Sequence, residues 1–172
     1  EKPKLEVAGY SLLFNGQSAY INVSSSEVLN LSSSLTIQAW IKPDLLQDST
    51  NILLPIISKG FKDSRYSFAI KNDGFSQLVL NNKNLILKDE KYTTNTWYNI
   101  SITWNGSNVR LYRNGLLISS DDLKLESLTG SESDKLVIGA NLANNSFFKG
   151  EIDEVRIWNI SLSQDEIRKN MH

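Results

Sequence analysis

Hydrophobic and polar positions alternate along this chain with a period of two. Leu35, Ile37, Ala39 and Ile41 interleave with Thr36, Gln38 and Trp40, while Tyr98, Ile100, Ile102 and Trp104 interleave with Asn99, Ser101 and Thr103. This alternation predicts half-buried strands, with one row of side chains on a core and the other on a solvated face. Shorter runs predict further strands at 12–14, 20–23, 56–58, 66–71, 77–80, 85–87, 109–113, 116–119, 136–140 and 152–158.

Turn chemistry separates these runs. Asn114-Gly115 reads as a two-residue hairpin, because both central positions need positive φ and Asn-Gly tolerates it best. Asn15-Gly16 and Asn105-Gly106 carry the same signal, and Asn72-Asp73-Gly74 stands between two strand candidates. The one helix signal is C-terminal: Ser163-Gln164-Asp165-Glu166 is a capping box that opens a short helix through Lys169. The fold class predicted is all-β, a two-sheet antiparallel β-sandwich finished by a short C-terminal helix. With 172 residues, the chain has the length of one domain and enough core to need no staples.

Composition narrows the function. Eighteen Lys and Arg against 19 Asp and Glu give a net charge of −1, which argues against a protein built to grip nucleic acid. No apolar run approaches the roughly 20 residues of a membrane span. Glu1-Lys2-Pro3-Lys4 shows no signal-peptide character, so a mature or excised piece of a larger protein is expected. The absence of cysteine removes disulfides and thiol chemistry together. His172 is the single histidine and the last residue, which leaves no Ser-His-Asp triad, and no phosphate-cradling glycine loop is present.

The order of the strands carries a resemblance. Ser11-Leu12-Leu13-Phe14-Asn15-Gly16, then Leu35 through Pro43, Ile57-Ser58-Lys59-Gly60, Thr96 through Ile100 and Val109 through Gly115 follow one another in order. Ile138-Gly139-Ala140, Phe148 through Trp158 and Leu162 through Ile167 complete the series. The chain resembles the laminin-G-like, concanavalin A-like jelly rolls, most closely their prokaryotic laminin-G/pentraxin-like branch, over residues 9 to 168. The resemblance implies a jelly-roll sandwich. It implies little about activity, since the fold hosts lectins, adhesion modules, enzymes and spacers.

Glu151-Ile152-Asp153 resembles the start of the catalytic strand of jelly-roll β-glucanases. Retaining glycosidases need two carboxyls about 5–5.5 Å apart, yet Val155 and Arg156 stand where the second acid is required, and alternation turns Glu154 to the other face. No catalysis is expected. A sugar site combines an aromatic platform with polar side chains. Trp40, Arg110 and Tyr112 lie on outward parity and could supply one, with Arg65 and Tyr66 from the charged loop 59–66 as further contacts; the same residues serve equally well as outer-face packing. The resemblance also implies a structural calcium ion, with Asn15, Glu151 and Asp153 as candidate ligands and Asp121-Asp122, on a loop, as further oxygens. Asn-x-Ser sequons at Asn22, Asn30, Asn99, Asn105, Asn144 and Asn159 fit a glycoprotein at a cell surface. The expectation is a non-catalytic extracellular recognition module that binds a glycan. The alternative is an adhesion or spacer domain that meets cell-surface proteins.

Overall fold

The structure, a computed structural model, describes residues 9–44, 53–60, 65–71, 75–88, 90–131 and 133–171. Its strands are β1 (Leu12–Asn15), β2 (Ile21–Val23), β3 (Leu35–Pro43), β4 (Leu53–Lys59) and β5 (Tyr66–Lys71). They continue with β6 (Phe75–Leu80), β7 (Lys83–Lys88), β8 (Tyr98–Trp104), β9 (Asn108–Arg113) and β10 (Leu116–Asp122). The last are β11 (Leu136–Ile138), β12 (Ala140–Asn141), β13 (Ser146–Phe147) and β14 (Lys149–Trp158), followed by helix α1 (Gln164–Lys169).

Two six-stranded antiparallel sheets face each other. The first runs β1-β14-β3-β8-β9-β10 and the second β2-β11-β4-β5-β6-β7, with β12-β13 as a small separate hairpin. Inward rows of both sheets meet in one core that includes Ile37, Ile41, Phe68, Ile70, Ile100 and Trp104. This is the predicted jelly-roll sandwich. β13, two residues long, is too short to leave an alternation signal.

The hairpins follow local chemistry. Asn114 and Gly115 adopt φ of 49° and 72° between paired Arg113 and Leu116, the predicted two-residue turn. Asn81-Asn82, with φ of 46° and 61°, makes the same turn between β6 and β7, although its sequence carries no glycine. Asn15-Gly16 is not a hairpin: it carries the chain from the first sheet to the second, and the Asn15 side chain accepts the amides of Gln17, Ser18 and Ala19. At Asn105-Gly106 the loop is longer, with Asn105 Oδ1 accepting from Ser107 and Asn108. Asn72-Asp73-Gly74 lies outside the described residues.

The expected solvated face on β3 and β8 is absent, because every residue of β8 and all but Lys42 of β3 are buried. The segment from Asn159 to Met171 covers the outward row. Thr36 Oγ1 donates to Ile160 O at 2.6 Å and accepts from Leu162 N at 2.9 Å, while Gln38 Nε2 donates to Asn99 Oδ1 and to Ile167 O. Leu162 and Ile167 pack on Tyr112 and Trp158 in a second apolar cluster. The predicted capping box is present in full, with both Ser163–Glu166 bonds made. Polar residues on an outward row thus mark a surface that hydrogen-bonds a covering segment as well as one that meets water.

Candidate functional site

Ile21 and Val23 of β2 pack toward the core, so Tyr20 and Asn22 take the outer face of the second sheet. In register, Asn22 stands opposite Val137, and Val137 opposite Ser58. With strands about 4.8 Å apart, this row spans about 10 Å across three strands. It floors a trough of about 350 Å³ lined by Tyr20, Asn22, Ser58, Gly60, Ser133, Asp134, Lys135, Val137 and Leu142.

Both walls are fixed from within the fold. On one side Ser131 is held to Asp134, with Ser131 N donating to Asp134 Oδ2 at 2.9 Å. Two buried cations at the ends of β4 and β5 hold this side. Lys59 Nζ donates to Asp134 O at 2.5 Å and Arg65 Nη2 to Gly130 O at 2.8 Å. Burial, then the neighbouring Arg65 charge, lowers the Lys59 pKa, and the Asp134 carboxylate offsets this in part. On the other side sits the hairpin β12–β13, anchored where Ser58 Oγ donates to Ala140 O at 2.8 Å and where the Tyr20 and Phe147 rings approach to 6.4 Å. Tyr20 remains 44% exposed. The Asn22 amide and the Lys135 ammonium have no partner among the described residues. An aromatic ring beside an amide, a carboxylate, a hydroxyl and an ammonium suits a ligand with one apolar face and a rim of hydroxyls.

The residues expected from sequence fall elsewhere. Trp40 and Tyr112 do occupy the outward row of the first sheet, yet each is only 3% exposed. Trp40 Nε1 donates to Met171 O at 2.8 Å, and Tyr112 lies beneath Leu162 and Ile167. They form the seat of the C-terminal segment and not an open platform, and Arg110 stands exposed outside it. Tyr66 is a core residue whose hydroxyl donates to Leu29 O at 3.2 Å, with burial raising its pKa. Arg65 comes close to a site, but as the buried anchor of the trough wall. Residues 61–64 of the charged loop lie outside the described residues. Trp104 is in the core, Trp158 packs on the second cluster and Trp97 is half-buried. Tyr20, Ser58, Asp134 and Lys135 were missed because they meet only through the β2–β11–β4 pairing; outward parity at Tyr20 was the one signal available.

The calcium ligand set does not fit an ion. Asn15 and Glu151 border a cavity of about 240 Å³, but Lys42 and Lys149 border it too. Lys42 Nζ lies 2.8 Å from Glu151 Oε1, Lys149 Nζ lies 2.9 Å from Asp44, and Ser11 Oγ donates to the other Glu151 oxygen. Asn15 Oδ1 is taken by three backbone amides, and Asp153 Oδ1 accepts Glu154 N. Among the described residues no group of three acidic or histidine side chains could hold a metal.

The hydrogen bonds from Lys42 and Ser11 hold the Glu151 carboxyl below its ordinary value of 4.5. A carboxylate held ionised in this way is a poor proton donor for glycoside cleavage, which wants a raised pKa. Its contribution to stability is complete above about pH 4.5 and fades as pH falls through the lowered value. Glu151→Gln is therefore expected to flatten the acid limb of stability, measured by denaturant titration at pH 7 and pH 3. Alternation on this strand also breaks: Asp153 pairs with Trp40 but Arg156 with Gln38, across a bulge where Glu154 adopts φ of 52°. The bulge brings the Glu154 carboxylate onto Arg156 Nη2. Of the sequon asparagines, Asn22, Asn105, Asn144 and Asn159 are exposed and Asn30 is half-buried. Asn99 is buried under the cap, where no glycan can attach.

A two-sheet jelly roll with a polar and aromatic trough on one outer face is the architecture of the laminin-G-like, concanavalin A-like domains. A family model described as the concanavalin A-like lectin/glucanases superfamily, of laminin-G type, matches residues 15–168, and the chain belongs to that family. The chain is 21% identical over 184 residues to pappalysin-1 of Mus musculus, covering 94% of itself and 11% of that protein. It thus spans about a tenth of the length of this curated relative. Among solved structures, a heptameric SAP-like pentraxin of Limulus polyphemus matches with a TM-score of 0.70 and 17% identity, over 93% of this chain and 80% of that one. A Bacteroides ovatus protein, described as a candidate for carbohydrate binding, matches with a TM-score of 0.72 and 19% identity, over 94% of this chain and 48% of that one. At these identities the structural matches speak for the fold.

Proposed function

We propose that this domain is a non-catalytic, extracellular carbohydrate-binding module that takes its ligand in the trough on the outer face of the second sheet. The trough itself carries the proposal: Tyr20 presents a part-exposed ring in one trough with the Asn22 amide and the Lys135 ammonium, which have no partner among the described residues. Membership of a lectin-containing family supports the reading, as does the description of the Bacteroides ovatus protein. Exposed sequons at Asn105, Asn144 and Asn159 support a surface setting. No helix among the described residues is long and apolar enough to cross a membrane.

A glycan array run with calcium and again with EDTA tests the module. Binding to a few related glycans is expected in both buffers, because the trough holds its polar groups without an ion. Tyr20→Ala is expected to weaken that binding at least tenfold, about 1.4 kcal/mol, with the fold retained and the melting temperature lowered only by the lost packing on Phe147, since the ring is 44% exposed. A blank array together with capture of a protein ligand on the same face moves the assignment to an adhesion module.

A further inference from the structure

Resting on the carbohydrate reading, we propose that the trough is closed from within: Asn22 is an N-glycosylation site, and the first sugar of its glycan lies on the Tyr20 ring and shuts out a free ligand. Asn22-Val23-Ser24 is one of six Asn-x-Ser sequons, and two observations set it apart. Asn22 is exposed on β2, the edge strand of the second sheet, and Ser24 is exposed in the irregular segment that follows. An aromatic residue also stands two positions before Asn22, and residues two apart along an extended segment share one face at a spacing of about 7 Å. Tyr20 and Asn22 accordingly line the same trough. Asn99 has an aromatic residue at that spacing too, Trp97, but Asn99 is 1% exposed under the cap. The exposed Asn105, Asn144 and Asn159 follow Thr103, Leu142 and Ile157 instead.

The chemistry is a glycosyl transfer from a lipid diphosphate donor. Asn22 Nδ2 bonds to the anomeric carbon of the reducing-end N-acetylhexosamine, and the bond from that carbon to the diphosphate oxygen breaks. The lipid diphosphate leaves with the bonding electrons, and the amide gives up one proton. The product sets the apolar face of a sugar beside a tyrosine ring that is 44% exposed and braced at 6.4 Å by Phe147. Stacking there takes apolar area of both partners out of water. Covalent attachment also gives this sugar a high effective concentration at the ring, which a free glycan must outcompete. The trough, at about 350 Å³, lies near the lower end of ligand-site volumes. With one sugar on Tyr20, no second sugar can use the ring.

The test compares the parent chain with Ser24→Ala, each secreted from an N-glycosylating host and each made in a host that adds no glycan. Ser24→Ala removes the sequon without altering a residue that lines the trough, and glycans at the other sequons are common to both chains. Glycopeptide mass spectrometry is expected to find Asn22 occupied in the parent. That form should bind the array glycans recognised by the bare chain at least tenfold more weakly, while Ser24→Ala from the same host binds them as the bare chain does. Trimming with an endoglycosidase to a single N-acetylglucosamine should leave the block in place, because that first sugar is the one on Tyr20. The Asn22 glycan should also raise the melting temperature by about 2–4 °C, and the same comparison in a Tyr20→Ala background should show no rise. An unoccupied Asn22, or an occupied Asn22 with undiminished binding, would overturn the closure while leaving the carbohydrate module standing. A bare chain that binds no glycan would overturn the module, and the closure with it.

Discussion

Gly150→Ala is expected to destabilise this domain severely. Gly150 sits within β14, between β1 and β3, paired with Phe14 on one side and Pro43 on the other. Its φ is +125°, and a Cβ there would lie 2.2 Å from Lys42 O and 2.9 Å from Asp44 N. Those are backbone atoms of a neighbouring central strand, so no side chain can swing away. The strained φ costs about 1–3 kcal/mol, and forcing an extra carbon into the packed pair adds about 1–3 kcal/mol. A loss near 4 kcal/mol is a large part of the roughly 5–15 kcal/mol a domain possesses, and at this size it lowers the melting temperature by about 10 °C or more. Gly106→Ala provides the control. Its Cβ would meet nothing nearer than Ser33 O at 3.5 Å, so mainly the left-handed φ of 91° is penalised, at about 1 kcal/mol. Thermal unfolding of both variants decides the matter; a Gly150→Ala protein melting within 2 °C of the parent would sink the argument.

Ile167→Asp should release the C-terminal cap without unfolding the sandwich. Ile167 is fully buried against Tyr112 and Leu162. An aspartate there either drags a carboxylate into an apolar seat or leaves the seat empty, and the loss should be about 3 kcal/mol. Two indole N–H groups report the outcome separately. Trp40 Nε1 donates to Met171 O in the cap, whereas Trp104 Nε1 donates to Leu123 O, away from it. In the variant, Trp40 is expected to exchange its indole proton with solvent about a hundredfold faster by NMR, while Trp104 keeps its protection. Equal protection of both would mean the cap does not depend on Ile167. Loss of both would mean cap and sandwich unfold as one unit.

Much of this molecule was legible in its sequence because the relevant physics is local. Alternation along 35–41 and 98–104 reflects strand geometry, and the inward residues it picked out are core residues. Asn114-Gly115 dictates its turn through φ preference alone, and Ser163 with Glu166 closes a helix start through bonds three residues apart. Even the outward parity of Trp40 and Tyr112 was correct.

What covers an outward row cannot be read locally. Burial of Trp40 depends on Met171, 131 residues away, and the polar row Thr36–Gln38 proved to be hydrogen-bonded to the cap and not to water. Ionic partners were hidden for the same reason: Glu151 looks like a metal ligand until folding sets Lys42 beside it. The bulge at Glu154 is a further tertiary decision, since a left-handed φ on a glutamate has no signature in composition. The trough is the fullest case. Tyr20 and Asn22 are separated in sequence from Ser58 and from Asp134-Lys135, and strand pairing alone brings them to one face. The sequence by itself determined which residues form strands, where they turn and which side of each strand is apolar. The pairing of distant strands decided which polar residues are sealed, which ions are matched and where a ligand can enter, because desolvation and charge pairing depend on neighbours in space.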